Sequence, residues 1–364
     1  MLLAFAALWP ATAEAAGQWR VQYFYDPPDG SEFSITDLAF PTAQYGIAAG
    51  ELETGGRPKP YAVATQDGGK TWLPVRVPEA AQSLFFLNER TGWLVGRKHI
   101  WRTGDFGRKW TKLKSVRGAR RVYFRDERRG WVAGEDKWLY QTTDGGLKWT
   151  RVEAGPMPKS VSENTVYSAI AFADLNTGVV AGWSRPQETD KEDAQPEWME
   201  PENVAPERPG VAILLQTQDG GESWKQSATS ILGQITALSL APDGRGLLLV
   251  EFFGRFPYPS EVYRVGLEGG QSSRVFRNRN RAVTDVLVAS NGTGYLAAVE
   301  PPGTLLHSPV PGKLKILQSK DLDNWTEMDV DYRAIARRAH LAASDPGNVW
   351  VATDTGMILK LASE

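Results

Sequence analysis

Short apolar runs alternate with polar turns along almost the whole chain, and most runs open on a glycine. Clear copies are Tyr45-Gly46-Ile47-Ala48-Ala49-Gly50, Thr91-Gly92-Trp93-Leu94-Val95-Gly96, Arg129-Gly130-Trp131-Val132-Ala133-Gly134 and Thr177-Gly178-Val179-Val180-Ala181-Gly182. Weaker copies open at Arg245, Thr293 and Pro346. Runs of this length between Gly/Asp turns predict strands, and their regular return predicts a repeat architecture. The second unit shows the plan: strand A near Ser83–Leu87, B at Gly92–Gly96, C at Ile100–Thr103 and D from Trp110. A four-stranded unit cannot bury both faces of its sheet alone, so such units pack radially as blades. Blades are expected to open near Ile35, Ser83, Arg121, Tyr167, Ile235, Val283 and Ile335, those after the fourth being degenerate. The last has three strands, ending with Met357–Leu361, and Trp19–Tyr25 is available as its fourth. The expected fold class is therefore all-β: a seven-bladed β-propeller whose N-terminal strand completes the last blade and protects a sheet edge. No helix is expected.

A second phrase follows strand C: Thr65-Gln66-Asp67-Gly68-Gly69-Lys70-Thr71-Trp72. It returns with Asp105 and Trp110, with Asp144 and Trp149, with Asp219 and Trp224, and in shortened form as Ser319-Lys320-Asp321-Leu322-Asp323-Asn324-Trp325. The carboxylate accepts nearby backbone N–H groups and closes a tight turn. The glycine two positions on takes positive φ without a Cβ clash, and the tryptophan opens the next strand as an apolar plate. The phrase resembles the Asp box of the bacterial neuraminidase-type repeat. One carboxylate per turn is too few for an oxygen-ligand cation site, so these aspartates are assigned a structural role.

Composition narrows the chemistry. The 364 residues hold no cysteine, which removes disulfides, thiol catalysis and Cys-based zinc sites. His99, His307 and His340 lie far apart and lack zinc-ligand spacing, so no metal and no cofactor is expected. The net charge of −2 implies no bulk affinity for nucleic acid. Residues 1–16 pair an apolar run with an Ala-x-Ala site at Ala13–Ala15 and are expected to be a secretory signal, leaving 17–364 as one domain. The expected product is an exported monomer, periplasmic or extracellular, or in the thylakoid lumen of a photosynthetic host.

In this layout the D–A and B–C loops share one face and the Asp turns occupy the other. Arg97, Lys98, Arg117, Arg120, Arg121, Arg255, Arg277, Arg279, Arg281 and Arg333 fall at or near the D–A/B–C face. Arginine offers planar, bidentate recognition of carboxylate or phosphate. A basic rim suits an acidic protein segment, an anionic glycan or lipid headgroups, the last allowing peripheral membrane association. The segment 185–209, Arg185-Pro186 through Trp198-Met199 to Pro209, is acidic and proline-rich between strands B and C of blade four. Its composition predicts an insertion able to fold over the arginines as an internal ligand.

The paired phrases Gly-Trp-x-x-Gly and Thr-x-Asp-Gly-Gly-x-x-Trp together resemble the photosystem II assembly/stability factor family. The resemblance covers blades one to four well and the rest loosely. It implies an exported seven-bladed propeller acting as a non-enzymatic assembly factor, with a membrane or envelope protein complex as partner. The long insertion and weak later blades depart from the photosynthetic members and favour a bacterial relative.

The alternative is an Asp-box glycoside hydrolase of sialidase type, or a carbohydrate-binding propeller. Tyr258, Tyr263, Glu251 and Asp285 are within reach of the arginine face, and Glu135, Asp136, Glu251 and Glu300 are candidate carboxylates for a two-carboxylate mechanism. The Arg-Ile-Pro opening of the sialidases is missing, the tyrosines show no paired glutamate in a neighbouring blade turn, and no nucleophile-elbow motif is present. Two carboxylates or a Tyr/Glu pair meeting in the central channel would favour catalysis; arginines without them favour binding.

Overall fold

The computed structural model describes residues 17–153, 160–185, 209–252, 256–267, 272–301 and 310–362. Their strands form seven sheets, and sheet follows sheet in chain order around a ring. The innermost strands, A, are Glu32–Ala39, Ser83–Phe86, Ala119–Phe124, Thr165–Phe172, Gln234–Leu240, Ala282–Val288 and Ala339–Asp345. Each packs beside the A strand of the next blade, and the seventh packs beside the first, so the ring closes. Strands B, C and D extend outward by antiparallel pairing. The described residues contain a single 3-10 turn, Ser162–Asn164.

The closure is the one expected. Gln18–Phe24 pairs antiparallel with Met357–Leu361 as the fourth strand of blade seven. Its other edge runs parallel to Asp329–Val330. Trp19 is fully buried there, its Nε1 donating to the Met328 sulfur at 3.3 Å and its ring meeting Tyr295 edge-on.

Blades five and six are regular despite their weak sequence signal. One boundary differs from expectation: blade seven opens at Ala339, not Ile335. Ile335–Ala336 instead pairs with strand C of blade six, matching Lys313↔Ile335 and Gly312↔Ala336. The core of the 185–209 insertion lies outside the described residues, but strands Gly178–Ser184 and Gly210–Thr217 flank it as B and C of blade four.

Packing explains the Gly-x-x-x-Gly phrase. A Cβ at Gly130 would lie 2.4 Å from the Phe124 ring, and Gly46, Gly92 and Gly178 face Phe40, Phe86 and Phe172 in the same way. The closing glycine meets a β-bulge in strand A: a Cβ on Gly134 would sit 1.9 Å from the Gly118 carbonyl oxygen. The bulges place Thr36, Arg120, Ser168, Thr236 and Thr284 as extra residues on strand A. Bulges turn a side chain out of the ladder. Here three of them reach the next blade: Thr36 donates to the Ala81 carbonyl at 2.6 Å, Ser168 to Ile235 at 2.5 Å and Thr284 to Ala339 at 3.3 Å. Aromatic pairs staple the same junctions farther out, Trp93 on Phe124 at 3.6 Å and Trp350 on Phe40 at 3.5 Å.

Candidate functional site

The two ends of the ring differ in chemistry. At the A–B/C–D end the Asp turns repeat one geometry. Thr65 Oγ1 donates to Asp67 Oδ1 at 2.8 Å and accepts the Gly69 N–H at 2.9 Å, while the Thr71 N–H and hydroxyl donate to the two Asp67 oxygens. Thr103 with Asp105, Thr142 with Asp144, and Thr217 with Asp219 repeat it. Gly68 and Gly69 have positive φ; in the second copy Phe106, at φ 57°, takes the place of the first glycine and is held by burial against Tyr45 and Phe86. Trp72, Trp110, Trp149 and Trp224 each immediately precede strand D. The Asp67 carboxyl is pulled down to about 2, chiefly by the Thr71 hydroxyl and amide. With its oxygens so engaged, the turn holds no carboxylate poised for catalysis.

At the D–A/B–C end the channel opens into a cavity of about 620 Å³. Arg120 and Arg121 reach it from strand A of blade three, Arg185 from the end of strand B in blade four, and Arg338 from the entry to strand A of blade seven. Glu135, Asp136 and Glu163 lie on the same wall. Arg120 Nε donates to Glu135 Oε1 at 3.1 Å. Arg338 holds Glu251 with one terminal nitrogen, at 2.6 and 2.9 Å to its two oxygens. Arg121 donates to the Gln82 carbonyl at 2.8 Å, and Arg185 lies over the Trp183 ring at 5.5 Å. Among the described residues neither Arg121 nor Arg185 makes an ion pair.

Below the mouth a smaller cavity, about 160 Å³, continues the channel and shares Arg121, Thr236, Arg338 and His340 with it. Asp37 and Asp285 line this lower part. Each spans a blade junction: Asp37 accepts the N–H groups of Leu38 and of Leu84 in blade two, and Asp285 those of Val286 and of Leu341 in blade seven. Enclosure pushes the Asp285 carboxyl up to about 7 against these hydrogen bonds, and the neighbouring Asp37 adds to the rise. Asp37 is raised by the same enclosure, with Arg121 opposing. His340 is pushed down to about 3 by enclosure, then by Arg338 and Arg121.

Of the sequence-derived arginines among the described residues, only Arg120 and Arg121 line the mouth. The others mostly face carboxylates of their own neighbourhood: Arg97 with Glu51 at 3.1 Å, Arg281 with Glu327 at 2.7 Å and Arg333 with Asp331 at 2.7 Å. Arg277 lies 3.4 Å from Glu261 and stacks with Arg279 on Tyr258. Arg117 is exposed, and Arg255 lies outside the described residues. The rim is thus a set of local ion pairs rather than a continuous basic belt. Arg338 and Arg185 are not among the sequence-derived candidates. Arg337-Arg338 precedes Ala339 rather than lying within strand A as Arg120-Arg121 does, and an expected blade start at Ile335 placed it inside the strand instead of at its entry.

The glycosidase candidates do not assemble. Glu135 is bound to Arg120, Glu251 to Arg338, and Glu300 lies by Lys315 and Arg281. A Tyr/Glu contact does occur, but within one strand rather than from a neighbouring blade turn: Tyr263 donates to Glu261 at 2.6 Å. It sits out on strand C of blade five with Arg274, and its phenol is pushed up to about 12, away from an activated nucleophile. Asp37 and Asp285 do meet in the channel, but their oxygens are engaged by backbone at the blade junctions. No group of three metal-ligating side chains occurs among the described residues.

The model of the photosynthesis system II assembly factor YCF48 family matches residues 69–158. No curated protein matches the sequence significantly. Among solved structures, YCF48 bound to a D1 peptide is 15% identical with a TM-score of 0.61, covering 95% of this chain and 97% of that one. YCF48 from Cyanidioschyzon merolae is 14% identical, TM-score 0.61, covering 95% and 98%. The extracellular domain of the putative one component system BT4673 from B. thetaiotaomicron is 12% identical, TM-score 0.60, covering 95% of this chain and 40% of that one. At these identities the structural likeness shows the fold. The resemblance to the photosystem II assembly factor family, read from the repeated phrases, holds in sequence over residues 69–158.

Proposed function

We propose that this propeller is a non-enzymatic assembly or stability factor that docks an acidic, extended segment of a membrane or envelope protein complex at the channel mouth. The observation that carries this is a cavity of about 620 Å³ holding Arg121 and Arg185, two guanidiniums without a carboxylate partner among the described residues. Cavities of a few hundred cubic ångströms with convergent polar groups are ordinary binding sites, and uncommitted arginines favour carboxylate or phosphate. That a similar fold is YCF48 bound to a D1 peptide supports a protein partner for this chain too. The protein acts after export, as a monomer.

The test is affinity capture of the mature protein from its own membranes at low and high salt, beside an Arg121→Gln/Arg185→Gln variant. A defined membrane complex, released by salt and lost with the variant, is the expected result. Retention of glycans with no reproducible protein would overturn it and move the assignment to carbohydrate binding.

A further inference from the structure

Apart from Arg121, which both parts share, the lower channel carries chemistry that docking at the mouth does not use. Its wall brings together Arg121 from blade three, Thr236 from blade five, Asp285 from blade six, Arg338 and His340 from blade seven, and Asp37 from blade one. Glu251 of blade five faces the group through Arg338. Thr236 breaks the pattern of its equivalents. Thr36, Ser168 and Thr284 each donate to the next blade, whereas the Thr236 hydroxyl is buried, lines both cavities and has no hydrogen-bond partner among the described residues. A buried hydroxyl without a partner is destabilising, and a ligand oxygen would relieve that.

The charge balance shows what ligand fits. Arg121 and Arg338 contribute two positive charges, Glu251 one negative, and His340 none when neutral, while Asp354, which also acts on Arg338, is balanced by its ion pair with Arg337 at 3.1 Å. With Asp37 and Asp285 both protonated the channel carries +1; with both ionised it carries −1. A ligand anion beside Arg121 therefore competes with the two aspartates for the same positive charge. It is accepted most readily when one aspartate takes up a proton.

We propose that the channel below the mouth is a proton-coupled carboxylate site, in which Arg121, Arg338 and the Thr236 hydroxyl hold the ligand carboxylate while the Asp37/Asp285 pair binds one proton. No covalent bond changes; a carboxylate and a proton enter together. The site does not depend on docking at the mouth, because a small carboxylate from solvent would suffice, although an acidic side chain of a docked segment carries the same group.

The test uses the full chain labelled with 13C at aspartate carboxyls, with the Asp285 resonance assigned by its loss in Asp285→Asn. Its titration is followed from pH 5.5 to 9 in chloride, and again with acetate replacing chloride at equal ionic strength. The site predicts a midpoint near neutrality that rises by about one unit with acetate, equivalent by linkage to roughly tenfold tighter acetate binding at low pH than at high pH. Thr236→Val, nearly isosteric, should shrink the rise, and Arg121→Gln should abolish it. An N-acetylated, C-amidated hexa-aspartate peptide separates the sources. The same rise at far lower concentration than acetate identifies a segment's side chain; a rise with acetate alone identifies a free carboxylate. A midpoint below pH 5, or one that neither probe moves, overturns the proposal. Loss of partner capture with this titration intact would overturn the docking function and leave the channel site standing.

Discussion

Aspartate is used in opposite ways at the two ends of this ring. In the repeated turns, Asp67, Asp105, Asp144 and Asp219 each sit on a loop and collect donors from residues within four positions, so water and amides together hold the carboxylate charged. In the channel, Asp37 and Asp285 reach across to a different blade, and the channel wall holds each carboxyl toward its neutral form. The turns spend a charge on local geometry. The channel spends polar contact on joining blades far apart in the chain, and acquires titration near neutrality as a by-product. A short turn can be built from its own sequence and repeated unchanged; a junction in the centre cannot, because each blade meets different neighbours.

Removing Asp285 should test this contrast hardest. Asp285→Ala leaves the Leu341 and Val286 N–H groups without their acceptors, and two partly buried donors put the loss at about 2–4 kcal/mol, read by urea unfolding at pH 6. An unchanged urea midpoint would mean that water replaces the carboxylate and the junction does not need it.

The pH dependence should have the next largest effect. Folded Asp285 keeps its proton to about pH 7 against 3.8 for the ordinary side chain, so its contribution is full below about pH 4 and is lost as the pH rises to 7. Folded His340 stays neutral down to about 3 against 6.5, so its contribution is present above 6.5 and is lost as the pH falls. Between about pH 4 and 6.5 the two slopes oppose, and stability should be nearly level. His340→Gln should expose the aspartate slope, a decline of roughly 1–2 kcal/mol between pH 4.5 and 7.5 once the channel's partial solvation is allowed for. A level profile in that variant would show that neither Asp285 nor Asp37 holds its proton more tightly in the folded chain.

Asp105→Ala should cost less, about 1 kcal/mol, because solvent takes over the Lys109 N–H and Thr103 hydroxyl that the carboxylate now receives. A loss as large as that of Asp285→Ala would erase the distinction between the two ends. At the bottom of the scale, Arg97→Ala removes an ion pair whose arginine is 68% exposed and should leave the urea midpoint unmoved.

The same divide governs what could be read from the sequence. Thr65, Asp67 and Gly69 bond to one another within five residues, so the turn was legible in each of its copies. Gly134 was legible as a repeat, though its cause, the approach of the Gly118 carbonyl, needed the bulge to be seen. The channel was not legible, because Asp37, Arg121, Asp285 and Arg338 come together only when the ring closes. Arg338 was lost for a second reason: the apolar Ile335-Ala336 imitates a strand A opening but belongs to the edge of blade six. The rim arginines looked like one surface because sequence shows charges without partners; Glu51, Glu327 and Asp331 become visible as partners only in space.

The pairing of Gln18–Phe24 with Met357–Leu361 sets the timetable of biosynthesis. Gln18–Phe24 must wait for a partner made more than 300 residues later. At roughly 5–20 residues per second, that strand stays single for on the order of half a minute while the intervening blades are made. During that interval Trp19 and the unpaired edge of Met357–Leu361's future partner are open to any chaperone or foreign strand. The circle becomes one cooperative object only once Met357–Leu361 has been made and exposed, so a nascent chain stalled before residue 357 would be an open arc with two adhesive ends.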